Sequence, residues 1–206
     1  MISRSIVGVL FCALALPAFA AGDANAGRSK SAACAGCHGM DGNATIPNYP
    51  KLAGQHAGYL VNQMQAFKSD KRKDPIMKGQ VANLKSQDME DIAAYFSSKK
   101  VSLGAASDEK KRTLGKRIYQ GGNKSKAVAA CMACHGPTGT GNLPAGFPSL
   151  SGQNAAYVVK SLNDFAAATS RGVDPKDDKA KMMREIAKRM SAAEMEAVAH
   201  YISGLH

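Results

Sequence analysis

The chain has 206 residues, with 27 Lys or Arg against 16 Asp or Glu, and its net charge at neutral pH is +11. This length suits one large domain or two small ones. The positive charge favours acidic proteins or anionic membrane surfaces as partners. We predict no nucleic-acid ligand, because the chain begins with an export signal and has no stretch that interleaves basic and aromatic residues.

The first twenty residues have the pattern of a secretory signal peptide. Arg4 precedes an apolar stretch at 6–16, and the segment closes on the small-residue pattern Ala-Phe-Ala at 18–20. The apolar stretch is too short for a membrane span, which needs about 20 such residues. We therefore predict export and cleavage after residue 20, which removes Arg4 and Cys12 and leaves a net charge of +10. The alternative is a retained N-terminal anchor.

The rest of the chain contains an internal repeat. Residues 49–67 align without a gap with residues 147–165, and residues 77–96 align with residues 183–202. A repeat of about ninety residues indicates two similar domains rather than a solenoid. Domains of this size usually gain stability from a covalent staple or a bound group.

The boundary between the two domains is predicted in a polar junction that contains Gly104. We place the N-terminal domain at residues 21–104 and the C-terminal domain at residues 105–206. Ser107 and Asp108 end the junction and are suited to cap the helix that follows.

Helical spacing of apolar residues is the regular pattern in both domains. The stripes are formed by Tyr59, Leu60, Gln63, Met64 and Phe67, by Met89, Ile92, Ala93 and Phe96, and by Met195, Val198, Ala199 and Ile202. Ser191 and Glu194 form a capping box before the last helix, whereas Lys85 replaces the serine in the first domain, so that Ser86 is the alternative cap there. Long loops rich in Gly, Pro and Asn separate the helices. The prediction is an all-α fold whose loops wrap around a bound group.

Two Cys-x-x-Cys-His motifs hold every cysteine that remains after export. They comprise Cys34, Cys37 and His38 in the first domain, and Cys131, Cys134 and His135 in the second. Two thiols three residues apart on a helical turn can each add to a vinyl group of one porphyrin, and the adjacent histidine then faces the iron. The motifs therefore predict two covalent haem c groups.

Three other uses of the cysteines fit the sequence less well. A redox-active Cys-x-x-Cys would follow a strand in a βαβ unit, and no such pattern is present. A zinc site would need a second pair of ligands at short spacing. Structural disulfides are compatible with an exported chain, but they leave the two histidines without a role.

Each iron needs a sixth ligand unless it is catalytic, and a methionine thioether is the natural candidate. Met77 follows Asp74 and Pro75 in a predicted loop before a helix, and the repeat alignment puts Met183 opposite it. Met182 is adjacent to Met183 and is the alternative ligand of the second iron.

Pro50 and Pro148 follow the two haem-binding histidines, and each is followed by x-Leu-x-Gly-Gln. A ligating imidazole normally donates its other N–H to a fixed acceptor, and a proline carbonyl is held rigidly. The alternative is that both are ordinary loop prolines. The other three histidines, His56, His200 and His206, have no counterpart in the repeat and are predicted to be solvated or to lie on a helix surface.

These motifs together resemble those of the dihaem cytochromes c4, exported proteins built from two class I cytochrome c domains. The resemblance covers "CAGCHG", "PNYPKLAGQ" and "IMKGQVANL" in the first half and "CMACHG", "FPSLSGQ" and "MMREIAKRMS" in the second. Carried over by position, it implies Cys34, Cys37, His38 and Met77 for one haem, and Cys131, Cys134, His135 and Met183 for the other. It also implies electron transfer in bacterial respiration, towards a terminal haem–copper oxidase, by a periplasmic and often membrane-associated protein.

We therefore predict a monomeric electron carrier that is not an enzyme and that passes single electrons from a respiratory donor complex to a terminal oxidase. A haem enzyme such as a dihaem peroxidase is the main alternative, and it would need one iron with an open sixth position beside an acid–base residue. A haem-bearing subunit or sensor of a larger dehydrogenase is a third possibility.

Overall fold

The computed structural model describes residues 22–171, 174 and 176–206, so the predicted signal peptide lies outside the described residues. Within these ranges the chain forms α-helices and loops, with no β-strand. The first half contains α1 (Ala24–Lys30), α2 (Ala32–His38), α3 (Ala57–Lys68), α4 (Pro75–Val81) and α5 (Ser86–Ser97). The second half contains α6 (Glu109–Gly121), a 3₁₀ turn (Lys124–Lys126), α7 (Met132–His135), α8 (Ala155–Ala167), α9 (Asp178–Ala187) and α10 (Ala192–Ser203). The all-α prediction is confirmed.

Side chains placed just before or inside the first turn fix where several helices begin. Asp108 accepts a hydrogen bond from the backbone N–H of Lys111 at the start of α6, and Ser191 and Glu194 form the predicted capping box of α10. The start of α5 differs from the expectation for Ser86. There the carboxylate of Asp88, in the first turn, accepts a hydrogen bond from the backbone N–H of Lys85 at 2.9 Å. The N–H group at the start of the helix therefore has a partner without Ser86.

Each half is built on a crossing of its first and last helices, α1 with α5 and α6 with α10. Glycines make these crossings close: a Cβ atom on Gly27 would lie 1.9 Å from the carbonyl oxygen of Asp91, and one on Gly115 would lie 2.0 Å from that of Ala197. The backbones of the paired helices are therefore in direct contact, and no larger residue fits at either position without moving them.

The apolar stripes predicted from the sequence form the core of each half. In the N-terminal half the buried residues are Leu60, Phe67, Val81, Met89, Ile92, Ala93, Tyr95 and Phe96. In the C-terminal half they include Ile118, Tyr119, Val128, Val158, Leu162, Met190, Met195, Val198 and Ile202. Met64 packs against the first core, so it and the buried Met89, Met190 and Met195 all serve as packing residues.

The segment between α5 and α6 is irregular and is held by backbone hydrogen bonds. Gly104 donates its N–H to the carbonyl of Ser203 at 2.7 Å, and the ammonium of Lys51 donates to the carbonyl of Ser102 at 2.5 Å. The domain boundary near Gly104 stays a prediction. No helix in the described part of the chain is both long enough and apolar enough to span a membrane.

Candidate haem sites

The two Cys-x-x-Cys-His motifs lie on short helices that end at the histidine. Cys34 and Cys37 are one turn apart on α2; in the second motif Cys131 is the N-cap of α7, and the helix carries Cys134 and His135. The glycine after each histidine has a positive φ, 81° at Gly39 and 80° at Gly136, which ends the helix at once. The four described cysteines are free, half-buried thiols. Each motif therefore presents two thiols and one imidazole from a single helical turn.

The first thiol of each motif is held in its protonated form. Burial raises the pKa of Cys34 above its ordinary value and raises the pKa of Cys131 to about 11. Redox-active Cys-x-x-Cys motifs instead contain a cysteine whose pKa is lowered. Among the described residues, no group of three or more His, Cys, Asp or Glu could hold a metal ion on its own. The sites thus match neither the thioredoxin-type nor the zinc alternative.

Both motif histidines are buried and oriented by a proline carbonyl. His38 Nδ1 donates to the carbonyl oxygen of Pro50 at 2.9 Å, and His135 Nδ1 donates to that of Pro148 at 2.9 Å. Because a carbonyl can only accept, Nδ1 carries the proton and Nε2 is left with its lone pair. Each ring is 6 % exposed, and this burial lowers the pKa of both imidazoles. The geometry therefore offers neutral imidazoles with one free nitrogen each, which is the form that binds iron.

The candidate methionines lie on helices rather than in loops. Met77 was expected in a loop, but Asp74 caps α4 by accepting from the Met77 N–H at 3.0 Å and Pro75 takes the first helical position, so the helix starts earlier. The Met77 side chain is half-buried against the N-terminal core, and Met183 is half-buried against the C-terminal core. Met182 is 45 % exposed, so Met183 is the residue that faces the interior.

A cluster of two arginines and two tyrosines lies between the halves, and the sequence did not predict it. Arg171 donates to the Tyr157 hydroxyl at 2.6 Å, and Arg72 donates to the same oxygen at 3.0 Å. Arg72 also donates to the side-chain oxygen of Gln63 at 2.8 Å, and Arg171 reaches Tyr59 at 3.4 Å. We call these five residues the arginine cluster. Arg72 belongs to the charged run at 68–74, and its side chain is half-buried against these partners.

The arginine cluster has no acidic partner. Every Asp and Glu of the chain lies in the described ranges, and none forms an ion pair with Arg72 or Arg171. The Nε atoms of both arginines are buried without a hydrogen-bond partner. Burial alone raises the pKa of Tyr157, but the two guanidiniums outweigh it and hold the pKa of the phenol well below its usual range. Arg171 is buried and Arg72 is half-buried, and two such cations without an anion are costly, so the cluster is suited to a carboxylate from a bound group.

Of the three remaining histidines, His56 differs from the prediction of a solvated or helix-surface side chain, whereas His200 lies half-buried on α10. His56 is half-buried, and its Nε2 is enclosed without a partner among the described residues. Asn154 holds the equivalent position and donates to the carbonyls of Ala44 and Tyr49 at 3.1 and 2.9 Å. His200 Nε2 accepts from the N–H of Asp108 at 3.0 Å, while His206 is exposed.

These residues fit a haem in each half. Thiols, a neutral imidazole with a free nitrogen, and a half-buried thioether are the groups that bind haem c, and the unpaired guanidiniums suit its carboxylates. The fit to haem is supported by the Nε atoms of the arginine cluster that have no hydrogen-bond partner, as well as by the two motifs.

Comparison with known proteins agrees with this geometry. The cytochrome c family model matches residues 24–100 and 113–206. Cytochrome c4 of Pseudomonas aeruginosa is 46% identical over 189 residues, which cover 92% of each chain, and cytochrome c4 of Azotobacter vinelandii is 44% identical over 198 residues, with the same coverage. The crystal structure of reduced cytochrome c4 from Pseudomonas stutzeri superposes with a TM-score of 0.84 at 44% identity, over 90% of this chain and 100% of that one. The chain therefore belongs to the cytochrome c4 family of dihaem electron carriers, in which each of two cytochrome c domains binds one covalent haem c.

Proposed function

We propose that the mature protein is a periplasmic monomer that takes single electrons from a respiratory donor complex and passes them to a terminal haem–copper oxidase. In this proposal residues 1–20 are a cleaved signal peptide, and the domains are 21–104 and 105–206. The pair of equivalent histidine–proline hydrogen bonds, each with a half-buried methionine in the same half, is the observation that supports it most directly.

The proposed attachment uses both thiols of each motif, which form thioethers with the porphyrin. Cys34 and Cys37 hold one haem, and Cys131 and Cys134 hold the other. When bound, the haem supplies an Fe(II)/Fe(III) couple that accepts and releases one electron. A covalent link suits an exported protein, because the group cannot be lost by dilution outside the cell.

The chain's own residues keep each iron in a constant environment. His38 and His135 are proposed as the fifth ligands, fixed by Pro50 and Pro148, and the thioether sulfur atoms of Met77 and Met183 are proposed as the sixth. With an imidazole and a thioether from the chain holding it, each iron would have no open position for a substrate. This equivalence of the two halves favours a carrier over a dihaem peroxidase, which needs one displaceable ligand.

The arginine cluster is proposed to neutralise haem propionates. Arg72 and Arg171 come from different domains yet share the Tyr157 hydroxyl, so propionates placed there would link the two domains electrostatically. The remaining basic surface, with a mature charge of +10, favours acidic faces on the redox partners or anionic lipid at the membrane surface.

The ligands are tested by Met77→Leu and Met183→Leu in the full dihaem protein. Each change should remove about half of the weak charge-transfer band that marks Met–Fe(III) coordination, and should lower the potential of one haem, because the thioether stabilises Fe(II). Met182→Leu and Met40→Leu are matched controls, since both residues are exposed, and should leave the band and both potentials unchanged. If the charge-transfer band keeps its full intensity in Met77→Leu or Met183→Leu, the ligand assignment is contradicted. If the band instead loses intensity in Met182→Leu, Met182 is the ligand of the second iron.

The partners are tested with membranes that contain a haem–copper oxidase. Oxygen uptake driven by a respiratory donor should depend on added protein. The Met77→Leu protein should support it poorly, because the reduction potential of one haem is lowered. Oxygen uptake that does not respond to the wild-type protein would contradict the proposed place in respiration.

A further inference from the structure

Two buried glutamines, Gln55 and Gln153, connect the domains beside the haem-binding histidines. Gln153 Oε1 accepts from the backbone N–H of Lys51 at 2.7 Å, and its Nε2 donates to the Lys51 carbonyl at 3.0 Å. Gln55 makes the same two bonds to the backbone of Ser149, both at 2.9 Å. Each glutamine therefore reaches across the interface and pairs with the residue that follows the other domain's proline.

In each half, the hydrogen bond from the histidine and the hydrogen bond to the opposite glutamine oxygen meet at the same peptide unit. The carbonyl of the Pro50–Lys51 peptide accepts from His38 Nδ1, and the N–H of the same peptide donates to Gln153 Oε1. Likewise, one peptide joins His135 to Gln55. A continuous chain of two hydrogen bonds thus runs from each ligating imidazole to an amide of the opposite domain.

The glutamines are held rigidly in this role. Gln55 is 7 % exposed and Gln153 is 8 % exposed. The oxygen of each also accepts from the N–H of the next residue, His56 or Asn154, at 3.0 Å. An amide flipped by 180° would point its NH₂ at two N–H donors, so these partners fix the orientation. The preceding glycine in each half has a positive φ, 68° or 66°, which turns the chain so that the glutamine faces the partner domain.

From these contacts we infer that each glutamine tunes the iron of the opposite domain: Gln153 acts on the haem of the N-terminal domain, and Gln55 on that of the C-terminal domain. An acceptor on the peptide N–H increases the negative charge on the carbonyl of the same peptide. That carbonyl then accepts more strongly from the imidazole N–H, which makes the histidine a stronger electron donor and favours Fe(III). The glutamines are positioning residues that lower the potential across the interface.

This inference rests on the proposed histidine ligation and is tested by Gln153→Met and Gln55→Met in the full dihaem protein. Methionine has similar length and no charge, but it removes the amide oxygen. Cooperative strengthening is about 10–30% per bond, so the effect should be modest. At a fixed electrode potential we expect the Fe(II)/Fe(III) ratio of the opposite haem to rise about two- to fourfold, a shift of about 18 to 36 mV at about 59 mV per tenfold change.

The inference predicts that each substitution acts on the haem of the other domain. Gln153→Met should raise the potential of the N-terminal haem and leave the C-terminal haem unchanged, and Gln55→Met should do the reverse. Gln120→Met, at an exposed position on α6, is the control and should move neither. Shifts of both haems in each variant, or of the haem in the mutated domain, would show a general loosening of the interface and overturn the inference.

A second measurement follows the hydrogen bond itself. In the ferrous protein, the Nδ1–H proton resonance of His38 should move upfield in Gln153→Met but not in Gln153→Glu, which retains an acceptor oxygen and, as a carboxylate, accepts more strongly. An unchanged resonance in Gln153→Met refutes the inference while leaving the haem ligands intact. Failure to observe two one-electron couples in the wild-type protein would instead refute the proposed function.

Discussion

The crossing of α6 with α10 makes Gly115→Ala the sharpest test of the fold. Alanine is favoured over glycine inside a helix by about 0.5–1 kcal/mol, so propensity alone predicts a gain. The added Cβ, however, would lie 2.0 Å from the carbonyl oxygen of Ala197 and 2.8 Å from the Cβ of Tyr201. The helices must separate by more than an ångström, and overpacking of this kind costs about 1–3 kcal/mol. Separation also loosens the packing of the buried Tyr119 and Val198.

We expect Gly115→Ala to lower the unfolding free energy of the C-terminal domain by about 2 kcal/mol. The measurement is guanidinium unfolding of the haem-loaded protein, followed by far-ultraviolet circular dichroism and by Soret absorption. Gly121→Ala in the same helix is the matched control, because a Cβ there meets nothing within 4 Å; it should change the free energy by less than about 1 kcal/mol. If Gly115→Ala stabilises the protein as much as the control does, the close crossing is refuted.

The remaining predictions concern charge. The pKa of Glu194 is lowered from its ordinary 4.5 to about 2, mainly by the hydrogen bond from Lys126. The stability that this lowered pKa contributes is present above pH 4.5 and is lost as the pH falls towards 2. Acid unfolding followed by circular dichroism should therefore be less steep over this range in Glu194→Gln, and an unchanged profile would contradict the role of this carboxylate. Arg72→Gln and Arg171→Gln should lower the haem potentials in a redox titration, because each removes a positive charge from the arginine cluster, whereas Arg117→Gln at an exposed position should have a much smaller effect. Equal shifts in all three would contradict the proposed pairing with propionates.

Much of the fold could be predicted because its signals are local. The apolar stripe around Met89 and Phe96, the capping box at Ser191, and the Cys-x-x-Cys-His spacing each depend on residues within a few positions of one another. The repeat alignment added a longer-range signal, since it paired Met77 with Met183. It could not show that a cap and a proline would include Met77 in α4.

The residues at the domain interface could not be predicted in this way. Arg72 stands in a charged run that has no apolar periodicity, and its burial depends on Tyr157, 85 positions away. The pairing of Gln55 with Ser149 joins residues 94 positions apart. The recurrence of Gly-Gln after both prolines was visible, but its meaning depends on how the domains face each other. Contacts at this separation leave no periodic pattern in a single sequence.

The reciprocal contacts of the two glutamines treat both irons alike. Gln55 and Gln153 make the same bonds in opposite directions, as in an interface between two copies of one protein. Because the proposed ligands and these bonds are equivalent, they cannot distinguish the two haems. Any difference in potential must arise where the halves differ, and one such position is His56. Its counterpart Asn154 donates to two carbonyls of the N-terminal domain, whereas the histidine does not donate through Nε2. Another is Tyr49, which packs edge-on against His38 where Phe147 packs against His135. We therefore expect any difference between the two haem potentials to arise from unlike pairs beside the histidines and glutamines, such as these two.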